Sequence, residues 1–144
     1  MVGLQAQALH IPAGGSAMPA SHISVESNMH FVQMTGQDVF KYAVRALSSA
    51  SATAIEANGI TKDEIRWVIP HQANLRISEA VQKSLKLRDD QVYNNIMRYG
   101  NTTSATIPIA LDECVRSGRL KRGDLLVVTA FGWGFMWGSC VIRW

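Results

Sequence analysis

The sequence has 144 residues, a mass of 15.8 kDa and a formal net charge of +3, which is the size of one domain and enough for a sizeable core. Hydrophobic residues make up 47% and charged residues 17% of the chain, a composition typical of globular rather than disordered proteins. The weak positive charge without a Lys/Arg run argues against nucleic-acid binding, and no apolar run approaches the roughly 20 residues that span a bilayer.

The N-terminal part of the chain is predicted to contain a strand, a loop and a long helix. Residues 4–11 alternate apolar and polar side chains, the period of a strand, and residues 12–30 are rich in Pro, Gly, Ser and Asn, as in a surface loop. Residues 37–58 form the clearest helix, because apolar side chains recur at three- and four-residue steps until Gly59. The N-terminus lacks the pattern of a signal peptide, so a cytoplasmic location is expected.

The middle of the chain alternates strands and helices. Four elements are predicted: a strand over 65–69, a helix over 75–87, a short strand over 91–94 and a helix over about 104–118. Pro70 ends the first strand, and Asn74 is suited to cap the helix that follows. Pro108 is tolerable only near the start of its helix, because proline lacks the backbone N–H that a helix interior requires.

The C-terminal residues are predicted to form a hairpin. Residues 125–131 are a continuous apolar run, typical of a buried strand, and residues 135–144 form a last strand. The short glycine-rich link between them requires an antiparallel turn. The order β-α-β-α-β-α-β-β predicts an α/β fold over 1–144, with a mixed sheet, an antiparallel closing strand and layers of helices.

Two polar residues stand where a sheet of this type binds ligands. His71 follows a strand that ends in proline, at the carboxyl end of the predicted sheet. Asn101 follows Gly100 and precedes a helix. Taken alone, each also fits a structural role: His71 as a turn histidine bonded to the backbone, and Asn101 as a helix N-cap, the main role expected of Asn74.

The C-terminal link and the two cysteines give further constraints. Phe131-Gly132-Trp133-Gly134 fits a hairpin turn, although its glycines also let backbone N–H groups point into a site and bind an oxyanion. Cys114 and Cys140 are both expected in the core, and neither has the basic neighbour or helix N-terminus that a reactive thiol needs. Two cysteines and four unclustered histidines predict neither a disulfide framework nor a metal site.

Jointly, these blocks resemble the C-terminal half of a type III β-ketoacyl-acyl-carrier-protein synthase, a thiolase-fold condensing enzyme. The resemblance runs from about residue 4 to residue 144 and includes Met34–Lys41, Pro70–Arg76, Gly100–Ser104 and Phe131–Ser139. It implies a thiolase-like half whose nucleophile-bearing N-terminal half is absent from these residues. The complete enzyme would join an acyl-coenzyme A primer to malonyl-acyl-carrier protein with loss of CO2, without any further cofactor, and this chain alone would be inactive.

The resemblance also implies roles for particular residues. His71 and Asn101 would hold the malonyl thioester carbonyl and assist decarboxylation. The other implied positions are the backbone N–H of Trp133 for a second oxyanion, Phe131 beside the nucleophile, Arg76 for the phosphates of phosphopantetheine or coenzyme A, Lys41 and Lys83 for the acidic carrier protein, and Asn74 as a supporting residue. The two lysines fit a solvated helix face equally well.

Other interpretations stay open at this point. Trp133 stands where the resembled family usually carries glycine or alanine, which favours a secondary-metabolite condensing enzyme or an acyltransferase with an unusual acceptor. A third possibility is a non-catalytic partner subunit of the same fold. The implied partners are the chain's own N-terminal half, acyl carrier protein, coenzyme A thioesters and a second copy in a homodimer. A bare helical face is then expected, chiefly the small residues of helix 37–58 together with part of helix 104–118.

Overall fold

The structure is a computed structural model that describes residues 7–144. The chain divides into two compact units: one holds the residues up to Tyr42 together with 132–136, and the other holds 43–131 together with 137–144. That residues 1–144 constitute one domain stays a prediction.

The first unit contains a small antiparallel sheet and a short helix. Strand β1 (Leu9–His10) pairs with β2 (Gln33–Met34), so that Leu9 lies opposite Met34. The strand predicted over 4–11 is therefore shorter than expected, and its residues 4–6 lie outside the described part. Helix α1 (His22–Glu26) lies inside the predicted loop, which makes that prediction wrong there. A reciprocal capping box between Ser21 and Ser24 stabilises this helix, a local signal that the low periodicity concealed.

Helix α2 (Gly36–Ala57) matches the predicted helix within one residue at each end. It buries Leu47 and Ile55, as the apolar period requires. The expectation that its small residues form a bare face is wrong for Ser48 and Ser51, which are buried. The Ser139 and Ser51 hydroxyl oxygens lie 3.4 Å apart, so this part of the helix is already covered within the second unit.

The second unit is built on a three-stranded sheet of order β3-β4-β5. Strand β3 (Ile65–Pro70) runs parallel to the central strand β4 (Leu125–Gly132), and β5 (Met136–Arg143) lies on the other side of β4. Only three residues join β4 to β5, which is enough for an antiparallel pair and far too few for a parallel crossover. Most of β3 and β4 is buried, whereas β5 is largely exposed.

Three helices complete the second unit: α3 (Leu75–Leu85), α4 (Ile96–Tyr99) and α5 (Thr106–Arg116). Helix α5 packs Ala110 and Cys114 against the sheet residues Trp67, Ile69 and Leu126. The predicted helix over 104–118 is shorter than expected, because residues 103–105 form a 3-10 turn and Ser117 caps the helix. Pro108 lies in the first turn of α5, where no backbone N–H is needed.

The strand predicted over 91–94 is wrong. Residues 89–91 form a 3-10 helix, and the only sheet-like contact nearby is an isolated parallel bridge between Val92 and Val68. The side chain of Gln91 explains the difference, since its amide donates to the backbone carbonyls of Lys62 at 2.7 Å and Ile65 at 2.9 Å. These bonds hold the segment against the start of β3 without a ladder.

The order of elements is β1-α1-β2-α2-β3-α3-α4-α5-β4-β5, so the predicted α/β class with a mixed sheet is confirmed. Across residues 7–144, no helix combines the length and the hydropathy that crossing a bilayer requires.

Candidate active site

His71 lies one residue beyond β3. Its backbone N–H donates to the carbonyl of Thr129 at 2.8 Å, which continues the parallel pairing of β3 with β4 past Pro70. The ring nitrogen Nδ1 lies 2.6 Å from the hydroxyl oxygen of Thr106, at the start of α5. Burial lowers the pKa of His71 below its ordinary value of 6.5, because the half-buried ring disfavours the charged form. The imidazole is therefore neutral at pH 7.

Asn101 follows α4 and is exposed. The preceding Gly100 has φ 68° and ψ −161°, a backbone conformation that only glycine adopts readily, and it turns the chain sharply after the helix. The side-chain oxygen of Asn101 accepts the backbone N–H of Thr103 at 2.9 Å. This bond fixes the orientation of the amide and leaves its NH2 group available as a donor. Asn101 is not the N-cap of α5, a position that Ala105 occupies.

One turn, residues 101–106, carries hydrogen bonds to both candidate residues. The Thr106 hydroxyl lies 3.0 Å from the carbonyl oxygen of Thr103 and 2.6 Å from Nδ1 of His71. The backbone N–H of Thr103 in turn bonds the Asn101 side chain. The His71 ring and the Asn101 side chain are thus both bonded to this turn, His71 through the Thr106 hydroxyl and Asn101 through the Thr103 N–H.

Gln72 ties the His71 segment to the segment that leads to Asn101. Its buried side-chain amide donates to the carbonyl of Pro70 at 2.8 Å and to that of Tyr93 at 3.2 Å. Its carbonyl oxygen accepts the backbone N–H groups of Asn95 at 3.1 Å and Ile96 at 3.2 Å. Gln72 was not singled out from the sequence. The available signal was a polar side chain two residues after a buried strand, but only the neighbouring histidine and asparagine were considered.

Glu113 on α5 anchors α4, the helix that precedes Asn101. Its carboxylate accepts hydrogen bonds from Asn95 at 2.7 Å, from the hydroxyls of Tyr93 at 3.2 Å and Tyr99 at 2.8 Å, and from Arg98. The bond from Asn95 is the main reason that the pKa of Glu113 lies below its ordinary value. The acidic pair before Cys114 was visible in the sequence, but nothing there indicated this anchoring role.

The residues expected to meet a carrier lie at several places on the chain. Asn74 caps α3, as predicted: its side-chain oxygen accepts the backbone N–H of Arg76 at 2.9 Å. Arg76 and Lys83 are both exposed on α3. Lys41 is exposed on α2, in the part of that helix that belongs to the first unit.

The link between β4 and β5 also belongs to the first unit. Trp133 is half exposed, and the peptide bond between Gly134 and Phe135 is cis. Phe135 is buried and packs against Tyr42 with 5.6 Å between the ring centroids. Phe131, the last residue of β4 inside the second unit, is partly buried.

The two cysteines differ from each other more than predicted. Cys114 is fully buried, as expected, and burial raises its pKa to about 11, so the thiol is protonated at neutral pH. Cys140 was expected in the core, but it is exposed on β5, a strand that is exposed over most of its length. In the described part of the chain, no group of three or more His, Cys, Asp or Glu side chains is arranged to hold a metal ion.

Comparisons with known proteins identify the family of this chain. Residues 55–144 match the family described as 3-oxoacyl-[acyl-carrier-protein (ACP)] synthase III C terminal. The chain is 52% identical over 136 residues to the β-ketoacyl-[acyl-carrier-protein] synthase III of Caldanaerobacter subterraneus subsp. tengcongensis, covering 94% of this chain and 41% of that relative.

Solved structures show the same fold. The β-ketoacyl-[acyl carrier protein] synthase III of Thermus thermophilus superposes with a TM-score of 0.84 at 38% identity, covering 99% of this chain and 43% of that one. The priming β-ketosynthase of the R1128 polyketide biosynthetic pathway superposes with a TM-score of 0.83 at 29% identity, covering 97% and 41%. The thiolase-like fold predicted from the sequence is thereby confirmed, and the chain spans about two fifths of the length of these relatives.

Proposed function

The chain belongs to the C-terminal domain family of the 3-oxoacyl-[acyl-carrier-protein] synthases III, and from this membership we propose that it supplies the decarboxylating part of a condensing site. The observation that carries the proposal is that the two donors are hydrogen bonded to the same turn. His71 and Asn101 are both hydrogen bonded to residues 103–106, and each has a side-chain N–H that a ligand can use.

The chemistry requires such a pair. When malonyl-acyl-carrier protein loses CO2, the bond between the carboxylate carbon and the α-carbon breaks, and its electron pair is delocalised onto the thioester oxygen. Two preorganised donors at that oxygen stabilise the enolate, each by about 3 kcal/mol. His71 stays neutral because burial lowers its pKa, so it donates a hydrogen bond without transferring a full proton. Asn101 cannot ionise and donates at any working pH.

The second step joins two carbon atoms. The enolate carbon attacks the carbonyl of an acyl group held as a cysteine thioester, and the tetrahedral oxyanion then collapses and expels the cysteine thiolate. The backbone N–H of Trp133 is the proposed donor to this oxyanion. The nucleophilic cysteine is proposed to lie outside this chain, because Cys114 is buried and protonated and Cys140 lies exposed on β5.

The active enzyme therefore needs a nucleophile-bearing N-terminal half, supplied in the same polypeptide or by another chain. Acyl-coenzyme A is the proposed primer, and the complete enzyme is proposed to be a cytoplasmic homodimer in fatty-acid initiation. Arg76 is proposed to meet the phosphates of coenzyme A or phosphopantetheine. Lys83 and Lys41 are proposed to face the acidic carrier protein, and all three side chains are exposed.

A second candidate within the same fold is a condensing enzyme of secondary metabolism. Two observations favour it: the structural likeness to a priming β-ketosynthase of a polyketide pathway, and Trp133, whose bulk stands in the link proposed to line the acyl site. If Trp133 limits the acyl group, Trp133→Gly should widen the range of accepted primers. An unchanged primer range in that variant would remove the support that Trp133 gives to this candidate.

The proposal is tested by fusing this chain to the nucleophile-bearing part of the Caldanaerobacter relative. Release of CO2 from labelled malonyl-acyl-carrier protein and attachment of labelled primer are then measured separately. His71→Ala and Asn101→Ala should each lower CO2 release by about a hundredfold or more, while the primer still attaches. His30→Ala and Asn58→Ala, matched changes at exposed positions, should leave both steps unchanged. Loss of primer attachment in the two site variants would show that the assigned roles are wrong.

A further inference from the structure

We propose that Thr106 sets the tautomer of His71: its hydroxyl donates to Nδ1 and thereby keeps the ring proton on Nε2. The catalytic consequence of this inference rests on the proposed function, whereas the tautomer itself does not. A neutral imidazole carries one proton on either nitrogen, and the hydrogen bond made by one nitrogen decides which of them is the donor.

The distances favour this direction of donation. The contact between the Thr106 oxygen and His71 Nδ1 is 2.6 Å, shorter than the common range of about 2.7–3.2 Å for an N–H that donates to oxygen, which argues against donation by the ring. The contact from the same hydroxyl to the Thr103 carbonyl is 3.0 Å, at the long end for an O–H donor. A hydroxyl has one hydrogen, and the shorter contact is the one that holds it.

The competing acceptor is already satisfied. The carbonyl of Thr103 accepts the backbone N–H of Thr106, so it does not depend on the hydroxyl. For His71 Nδ1, the Thr106 hydroxyl is the one hydrogen-bond partner among residues 7–144. Thr106 is 2% exposed, which keeps water from replacing it at this contact.

The consequence concerns the other ring nitrogen. With the proton on Nε2, His71 presents an N–H to a ligand oxygen, which is what a developing enolate requires. With the proton on Nδ1 instead, Nε2 presents a lone pair, which repels the lone pairs of the ligand oxygen. Thr106 is therefore a positioning residue that acts through His71 and touches no substrate itself.

The tautomer is measured directly by nitrogen-15 NMR of the histidine rings in this chain, and the His71 signals are identified by their loss in His71→Gln. The wild type should show a protonated Nε2 and an unprotonated, hydrogen-bonded Nδ1. Thr106→Ser keeps the hydroxyl and should give the same pattern. Thr106→Val keeps the shape but removes the hydroxyl, and it should give a mixture of tautomers.

A wild-type spectrum with the proton on Nδ1 overturns the inference, and this result does not depend on the folding of any Thr106 variant. A Thr106→Val spectrum identical to that of the wild type overturns it as well. In the fusion enzyme, Thr106→Val should lower CO2 release by about tenfold or more, less than the loss of a whole donor, and Thr106→Ser should restore it. A changed tautomer with full CO2 release would instead leave the role of Thr106 intact and overturn the donor role of His71.

Discussion

Gln72 should contribute more to the stability of the second unit than any exposed glutamine, because it serves four backbone groups. In Gln72→Met, a side chain of similar length and volume replaces the amide. The carbonyls of Pro70 and Tyr93 then lose a donor, and the N–H groups of Asn95 and Ile96 lose their acceptor. The change therefore separates the hydrogen bonds of Gln72 from its packing.

The size of the expected loss in unfolding free energy follows from how deeply these backbone groups are buried. A buried backbone group left without a partner costs about 1–3 kcal/mol. Pro70 and Asn95 are both buried, so two of the four groups have little access to water. We expect the free energy of unfolding to fall by about 3 kcal/mol, at the upper end of ordinary single substitutions.

The assay is urea denaturation followed by circular dichroism, with Gln82→Met as the matched control. The side chain of Gln82 makes one hydrogen bond, to Asp89 at 2.7 Å, and that bond is exposed to solvent, so its loss should cost less than about 1 kcal/mol. Hydrogen exchange at the amides of Asn95 and Ile96 should also accelerate in Gln72→Met. Equal destabilisation by the two variants, or unchanged exchange at both amides, would refute the reasoning.

Three further outcomes are expected. Arg76→Glu should weaken binding of acyl-carrier protein by the fusion enzyme, most strongly at low salt where screening is weakest; the same loss in the exposed control Arg122→Glu would leave Arg76 without a specific role. Iodoacetamide at pH 8 should modify Cys140 and spare Cys114 in the folded chain, since Cys114 is buried with a pKa of about 11; mass spectrometry showing two modifications before unfolding would contradict this. Because burial lowers the pKa of His71, its contribution to stability is complete above the unfolded pKa of about 6.5 and is lost as the pH falls through the folded value; denaturation of His71→Gln should therefore show a weaker pH dependence than that of the wild type, and equal slopes would argue against a buried neutral ring.

The long periodic elements could be predicted from the sequence because their own residues determine them. The apolar period of α2, the buried runs of β3 and β4, and the glycine-rich link before β5 each carry a local signal. The strand predicted over 91–94 failed because the segment pairs with β3 only at the bridge between Val92 and Val68, while the side chain of Gln91 bonds the carbonyls of Lys62 and Ile65. No local pattern reveals such a tertiary bond.

In the candidate site, too, residues with a local sequence signal could be predicted, and residues that act through tertiary contacts could not. His71 and Asn101 stood out because each follows a residue that interrupts regular secondary structure, Pro70 and Gly100 respectively. The residues that hold them in place did not stand out, because the partners of Gln72, Thr106 and Glu113 lie far from them along the chain and meet only in the folded state. Cys140 was misplaced for a related reason: an apolar strand pattern does not show whether other elements cover the strand, and β5 is largely exposed.

The central claim is that His71 and Asn101 both donate to one thioester oxygen, and the carbonyl stretch of that thioester tests it most directly. A carbon-13-labelled acetyl thioester of carrier protein, which cannot decarboxylate, is bound to the fusion enzyme and its infrared spectrum is recorded. Two hydrogen bonds should lower the carbonyl frequency below its value for the free thioester in water. His71→Ala and Asn101→Ala should each restore part of that shift, and the double variant should restore all of it. A carbonyl frequency that is the same in the wild type and in all three variants would contradict the account.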